Sequence, residues 1–181
     1  SPRLLDTSPD AAFLNTDEYS LAKARQENLL FESGRKNWTI VRPYITYSDQ
    51  RLQLGNMEKE EWLRRALNGK KILFPKDLLS KTTTMTYGED VALGIQALMR
   101  SSATLGEAFN ITGRDVCTWG EVLEIYLEVL TSRLGCRPQV EYQGLEEFLS
   151  WNHGKYQVIY DRMYNRVFDS TKINRFVDAG N

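Results

Sequence analysis

The 181-residue sequence has few of the side chains that build disulfide frameworks or metal centres. It contains two cysteines, Cys117 and Cys136, and a single histidine, His153. These three residues do not have the spacing of zinc ligands, so we predict no metal site. The two thiols should stay unpaired, because roughly 25 Å of predicted helix separates them and a disulfide needs Cα atoms within about 7 Å.

Other absences exclude whole classes of protein. No apolar run approaches the length of a membrane-spanning helix, and no signal-peptide pattern opens the chain. The formal net charge of −1 lacks the basic excess that binds nucleic acid. These features predict a soluble, cytoplasmic protein whose partners include neither a membrane nor a nucleic acid. The chain is long enough to bury a sizeable core in one domain or two small lobes.

A helix is predicted from residue 18 to residue 31, with Thr16 or Asp17 as its cap. Tyr19 and Lys23 stand four residues apart in its first turns, so their side chains should share one face. A nearby ammonium group stabilises phenolate and lowers the pKa of a phenol, which makes such a pair an acid and base near neutral pH. The pattern is short and also arises by chance, in which case the two residues are an exposed aromatic ring and a solvated lysine.

Local patterns predict the elements that follow. Residues 38–47 are rich in β-branched residues and indicate a buried parallel strand with a proline inside it. Asp90 is expected to cap an apolar helix, and residues 108–113 indicate a short strand. A second strand at residues 139–142 is expected to pair with residues 108–111.

The second half of the chain is predicted to contain two amphipathic helices, at residues 58–67 and 118–134. Thr118 and Glu121 have the spacing of a capping box at the start of the second helix. Its expected core-facing stripe comprises Val122, Ile125, Tyr126, Val129 and Leu130. A four-residue spacing of aromatic residues near the C-terminus indicates a further helical stripe if that segment is helical: Tyr156, Tyr160, Tyr164 and Phe168.

This succession, with Tyr19 and Lys23 followed by Arg42-Pro43 and Asp90-Val91-Ala92, resembles the C-terminal half of the extended short-chain dehydrogenase/reductase family. Those proteins are NAD-dependent epimerases and dehydratases that act mainly on nucleotide sugars. The resemblance implies an α/β fold, in which the last part of a Rossmann-type parallel sheet carries a small α+β substrate-binding lobe. Residues 1–56 would end the Rossmann-type domain, and residues 57–181 would be mainly the lobe, with a strand and helix at 82–100 returning to the sheet.

The family's N-terminal dinucleotide-binding half is absent from the sequence. No Gly-x-Gly-x-x-Gly turn occurs, although the family uses a glycine-rich turn to hold the pyrophosphate at a helix N-terminus. The nearest hydroxyl groups to the family's catalytic serine or threonine are Thr7 and Ser8, in a proline-flanked loop that matches poorly. We therefore expect a fragment whose open sheet edge drives self-association into a homo-oligomer.

The resemblance also implies site residues and cofactors. Tyr19 would be the catalytic acid and base, and Lys23 would lower its pKa and hold the nicotinamide ribose of NAD or NADP. The backbone of Pro43, Tyr44 and Ile45 would line the nicotinamide, although Pro43 merely ending a strand is an equal alternative.

Substrate contacts are implied for Tyr47, Tyr87, Arg162 and Arg166. Two departures from the family weaken the match: serine follows Tyr47 where the family has glycine, and Thr83 stands where nucleotide-sugar members carry an arginine that grips the diphosphate. The expected function is an NAD(P)-dependent epimerase, dehydratase or reductase of a sugar or nucleotide sugar. The alternative is a catalytically silent relative that binds a ligand or partner.

Overall fold

The computed structural model describes residues 8–177. Its helices are α1 (Ala11–Leu14), α2 (Tyr19–Glu32), α3 (Lys59–Leu67), α4 (Gly88–Met99), α5 (Trp119–Leu134), α6 (Leu145–Trp151), α7 (Lys155–Gln157) and α8 (Thr171–Asn174). Its strands are β1 (Thr39–Pro43), β2 (Thr46–Tyr47), β3 (Ile72–Pro75), β4 (Thr82–Thr84), β5 (Thr86–Tyr87), β6 (Glu107–Ile111), β7 (Val116–Thr118) and β8 (Val140–Gln143). Two short 3₁₀ helices cover Lys76–Leu78 and Ser102–Thr104, and a π-helical turn covers Val158–Arg162.

The strands form four two-stranded pairs, three of them parallel. β1 pairs with β6, β2 with β5 and β3 with β8 in parallel, whereas β4 and β7 are antiparallel. Parallel pairs need crossover connections, and helices α3, α4 and α5 lie within those crossovers. The predicted α/β class with a partial parallel sheet is confirmed.

The predicted partner of the strand at residues 139–142 is wrong. β8 pairs with β3, in a register that joins Ile72 to Val140, whereas β6 pairs with β1. The alternating pattern of β8 indicates a strand but does not specify its neighbour, because several parallel pairings would accept it.

The strand at residues 38–47 is shorter and more exposed than predicted. The chain breaks at Tyr44 and Ile45 into β1 and β2, and within β1 only Ile40 is buried. β6 is the only strand that pairs with β1 among the described residues, so the other edge of β1 carries no strand there. A parallel strand is buried throughout only where helices cover both faces of its sheet, and here Arg42 and Pro43 at the end of β1 are exposed.

Helix α2 agrees with the predicted helix to within one residue, but Glu18 rather than Thr16 or Asp17 is its N-cap residue. Its only buried residue is Leu21, and three apolar side chains near its C-terminus are exposed: Leu29, Leu30 and Phe31. Helix α4 likewise begins at Gly88 with Tyr87 as N-cap, which places Asp90 in the first turn instead of at the cap.

Helix α5 has its predicted bounds and its predicted capping box. The Thr118 hydroxyl accepts from the Glu121 amide at 3.1 Å, and the Glu121 carboxylate accepts from the Thr118 amide. The predicted apolar stripe is partly wrong, because Ile125 and Val129 are each 56% exposed. The buried face is turned toward Leu123 and Leu127, since this helix is apolar over a wider arc than its neighbours cover.

Replacing Thr118 with Ala should lower the free energy of unfolding by about 1 kcal/mol, because one orphan amide at the start of α5 loses its acceptor. Ser132→Ala is the matched control, since Ser132 is an exposed hydroxyl residue on the same helix. Urea unfolding followed by circular dichroism measures both variants. Equal midpoints for the two variants would show that the cap does not contribute.

The buried apolar residues form two clusters. The larger cluster joins α3, β3, α5 and α6, with Trp62, Phe74, Trp119 and Phe148 among its largest side chains. The smaller cluster lies where α4 and α8 pack on β6, and includes Val91, Phe109 and Ile173.

No helix among residues 8–177 is long and apolar enough to cross a membrane. The same residues contain no cluster of metal-ligating side chains.

Candidate active site

Helix α2 brings Tyr19 and Lys23 together on an accessible face. The Lys23 Nζ atom lies 5.5 Å from the centre of the Tyr19 ring, as expected for side chains one helical turn apart. Tyr19 is 74% exposed, and within residues 8–177 Lys23 Nζ donates only to the nearby Gln26 side chain, at 3.2 Å. Both polar groups are therefore free to meet a ligand.

An ion pair ties α2 to the strand that leads to Pro43. The Arg42 guanidinium donates to both carboxylate oxygens of Glu27, with its Nε atom 2.8 Å from Oε1. Such a bidentate contact fixes the relative orientation of the two side chains as well as their distance. Arg25, in the middle of the same helix, donates to the backbone carbonyls of Leu14 and Thr16, at 2.6 and 2.9 Å. These contacts hold the Tyr19 helix against β1 and the preceding loop.

Arg51, in the loop after β2, was not singled out by any local pattern in the sequence. The Glu58 carboxylate, which accepts from Arg51 at 2.6 Å, raises the pKa of this guanidinium, and the Tyr19 phenol adds a smaller effect in the same direction. Arg51 also donates to the Thr46 hydroxyl at 3.0 Å. The loop after β2 therefore lies within electrostatic range of the exposed phenol.

The segment Pro43-Tyr44-Ile45 contains a strained backbone. Ile45 has a φ of +39°, and it is the only non-glycine residue with positive φ among residues 8–177. The left-handed region is a genuine outlier for a β-branched residue and costs about 1–3 kcal/mol, so the surrounding structure must enforce it. Pro43 is exposed, the Ile45 side chain is buried, and no hydrogen bond from the Ile45 amide is found within the described residues.

Tyr47 and Tyr87 are neighbours in the β2–β5 pair. Their rings lie 5.5 Å apart and are inclined by 51°. Burial raises the pKa of Tyr47, and nearby Asp90 raises it further, so its hydroxyl remains protonated at neutral pH. The structure thus brings together two of the predicted substrate residues.

The other two predicted substrate residues, Arg162 and Arg166, enclose Asp161. Both guanidinium groups form ion pairs with its carboxylate, and the Tyr44 hydroxyl donates to the same carboxylate at 3.0 Å. Arg162 is 4% exposed and also donates to the Gly55 carbonyl at 3.0 Å. Burial lowers the pKa of Arg162 to about 10, which still leaves it protonated at pH 7. Both guanidinium groups therefore form ion pairs and hydrogen bonds within the protein, and their binding of substrate stays a prediction.

The C-terminal aromatic residues do not form one helical stripe, because the helical segment that begins at Lys155 ends at Arg162 and leaves Tyr164 and Phe168 outside it. Tyr156 and Tyr160 lie 4.9 and 4.3 Å from Phe13, and the Tyr160 hydroxyl donates to Asp10 at 2.7 Å. Phe168 instead packs against Tyr44 at 4.6 Å. The tail therefore contacts both the segment before α2 and the segment after β1.

Thr83, Thr7 and Ser8 stand where the family pattern has an arginine and a catalytic serine or threonine. Thr83 is fully buried in β4, so its side chain has no access to a phosphate at the surface. The Ser8 hydroxyl accepts from the amide of Asp10, and Thr7 lies outside the described residues.

The chain has the fold of NAD-dependent epimerases and dehydratases, over a length consistent with their C-terminal part. Neither a protein-family model nor a curated protein matches it. One similar structure is UDP-glucuronic acid 4-epimerase from Bacillus cereus, in complex with UDP-glucuronic acid and NAD. It has a TM-score of 0.62 and 17% identity, with 90% of this chain and 46% of that chain covered.

A second similar structure is dTDP-glucose 4,6-dehydratase from Bacillus anthracis in complex with NAD, with a TM-score of 0.61, 21% identity, and coverage of 92% and 47%. An epimerase from Methanothermobacter thermautotrophicus gives a TM-score of 0.61 at 14% identity, with coverage of 88% and 43%. At these identities the likeness shows the fold alone. The chain spans slightly less than half the length of these proteins.

Proposed function

We propose that this chain is the C-terminal part of an NAD(P)-dependent epimerase, dehydratase or reductase that acts on a sugar or nucleotide sugar. The observation that carries the proposal is the Tyr19–Lys23 pair, exposed on a helix that Glu27 and Arg42 tie to the strand ending at Pro43. The fold adds support, because structures that share it were crystallised with NAD and with UDP-glucuronic acid.

The described residues fit one end of the dinucleotide. Lys23 would bind the nicotinamide ribose, and the backbone of Pro43 to Ile45, with its unpaired Ile45 amide, would face the nicotinamide. A glycine-rich turn for the pyrophosphate does not occur in the sequence. When bound, NAD or NADP accepts a hydride from the sugar carbon and can return it.

Tyr19 supplies the proton chemistry in this proposal. Its phenolate takes the proton from the sugar hydroxyl as the carbon is oxidised, and returns a proton when the carbonyl is reduced. The Lys23 ammonium group lies 5.5 Å from the centre of the Tyr19 ring, in position to assist this proton transfer. Tyr47 and Tyr87 would contact the sugar.

A domain boundary near residue 56 would place the Tyr19 helix on the cofactor side and most of the remaining chain on the substrate side. The exposed apolar residues of α2 favour a homo-oligomer.

A catalytically silent ligand-binding relative is the second candidate. Thr83 favours it, because the buried threonine cannot replace a diphosphate-binding arginine. Turnover separates the two candidates: the complete protein should interconvert or dehydrate at least one UDP- or dTDP-linked sugar, detected by NMR of the products. Binding of such sugars without any product would favour the silent relative.

Lys23→Ala should weaken NAD affinity of the complete protein by roughly 10- to 100-fold and also lower kcat, because one charged hydrogen bond is worth about 1.5–3 kcal/mol. Lys70→Ala is the control, since Lys70 is an exposed lysine in the turn after α3. Calorimetric titration and initial rates measure the two effects. A Lys23→Ala protein that matches Lys70→Ala in both would remove Lys23 from the site.

A further inference from the structure

Thr86 is a buried threonine whose hydroxyl joins three segments of the chain. It is 1% exposed and lies in β5, directly opposite Thr46 of β2. Its hydroxyl donates to the Tyr44 carbonyl at 2.9 Å and accepts from the Gly113 amide at 3.1 Å. Its own amide donates to the Ile45 carbonyl at 3.0 Å. The ends of β1 and β6 therefore meet at one side chain that precedes α4.

Two consecutive carbonyl groups, those of Tyr44 and Ile45, are directed at this one residue. In an extended strand successive carbonyl groups point to opposite sides, so this arrangement requires a turn of the backbone between them. The positive φ of Ile45 is that turn. The buried Ile45 side chain anchors it in the larger apolar cluster.

The same contacts determine where the amide groups point. Across a trans peptide the N–H group is opposite to the carbonyl group. The amides of Ile45 and Thr46 therefore both point away from Thr86, toward the side that the proposed function assigns to the nicotinamide. Gly113 makes the junction possible, because a Cβ atom there would lie 2.4 Å from the Met85 carbonyl oxygen.

We propose that Thr86 is a positioning residue, whose hydroxyl holds Ile45 in its left-handed conformation and so presents the Ile45 and Thr46 amides to the cofactor. The cofactor part of this inference rests on the proposed function. The conformational part does not, and the two parts can be tested separately.

The first test uses NMR of this 181-residue chain. Thr86→Val keeps the shape and removes the hydroxyl, and Thr86→Ser retains the hydroxyl. Thr84→Val is the matched control, because Thr84 is also 1% exposed and its hydroxyl donates to a different backbone carbonyl, that of Arg166, at 2.9 Å. The intraresidue distance between amide and Hα protons of Ile45 is short only while φ is positive.

Thr86→Val should lengthen that distance and speed exchange of the Gly113 amide by roughly tenfold. Thr86→Ser and Thr84→Val should leave both unchanged. Should Thr86→Val fail to fold, Thr86→Ala removes the same hydroxyl without crowding. A left-handed Ile45 in every variant would overturn the inference.

The second test measures NAD affinity of the complete protein. Thr86→Val should weaken it by roughly tenfold relative to Thr84→Val, with recovery in Thr86→Ser. Unchanged affinity in a Thr86→Val protein whose Ile45 conformation is lost would also overturn the positioning role. A wild-type protein that does not bind NAD would contradict the proposed function, while the NMR result would still decide how Ile45 is held.

Discussion

Tyr19→Phe should lower kcat of the complete protein by roughly 10²- to 10⁴-fold, the usual contribution of a positioned acid and base. The change removes one oxygen from an exposed side chain, so folding should be unaffected. NAD affinity should be nearly unchanged, because Lys23 and the backbone after Pro43 remain in place. The loss should appear in kcat and in kcat/KM alike, as expected when an interaction with the transition state is removed.

Tyr142→Phe provides the matched control for Tyr19→Phe. Tyr142 is also an exposed tyrosine, but it lies on β8, which pairs with β3 and not with the strands near Tyr19. Its loss should not alter the rate. Retention of most activity by Tyr19→Phe would show that the catalytic assignment is wrong, whatever the status of the fold.

Asp161→Asn should lower the free energy of unfolding by about 3 kcal/mol. Removal of one partner of a buried ion pair leaves an uncompensated charge, here the guanidinium of the buried Arg162. Arg166 and the Tyr44 hydroxyl would lose the charged acceptor and would have only one amide oxygen left to share. The cost should be near the low end of the usual range, because the Asp161 side chain is 26% exposed and partly solvated.

Glu124→Gln is the control for Asp161→Asn, since Glu124 pairs with Arg137 and both side chains are half exposed. An exposed pair contributes about 0–1 kcal/mol. Urea denaturation of both variants at pH 7 provides the comparison. Equal losses would mean that solvent screens Asp161 as fully as Glu124, and that Arg162 does not depend on this carboxylate.

Local sequence signals predicted the elements that depend on local chemistry. The capping box of α5 is formed by residues three positions apart, and the Tyr19–Lys23 contact by residues one turn apart, so both are visible in the sequence. The pairing of β8 with β3 joins residues about 70 positions apart, and the strand pattern does not encode it. The buried face of α5 was misplaced for the same reason, because its position depends on which neighbours cover it.

The supporting residues of the candidate site were missed because their roles are non-local. Asp161 meets Tyr44 across 117 positions, and Thr86 meets Tyr44 across 42. A lone threonine or aspartate in a sequence carries no signal of such a contact. The sequence did contain one local difference from the family pattern, which is Thr83 in place of an arginine. The structure places this threonine in the interior.

The measurement that tests the account most directly is calorimetric titration of NAD into this 181-residue chain and into the longer protein of which we propose it is a part. We predict no heat of binding to the chain alone up to millimolar NAD, because the few contacts available at the nicotinamide end contribute about 1–1.5 kcal/mol each and cannot offset the loss of cofactor freedom. The longer protein should bind NAD clearly. Micromolar binding by this chain alone would contradict the account, since the residues that contribute most of the NAD affinity would then lie within these 181 residues.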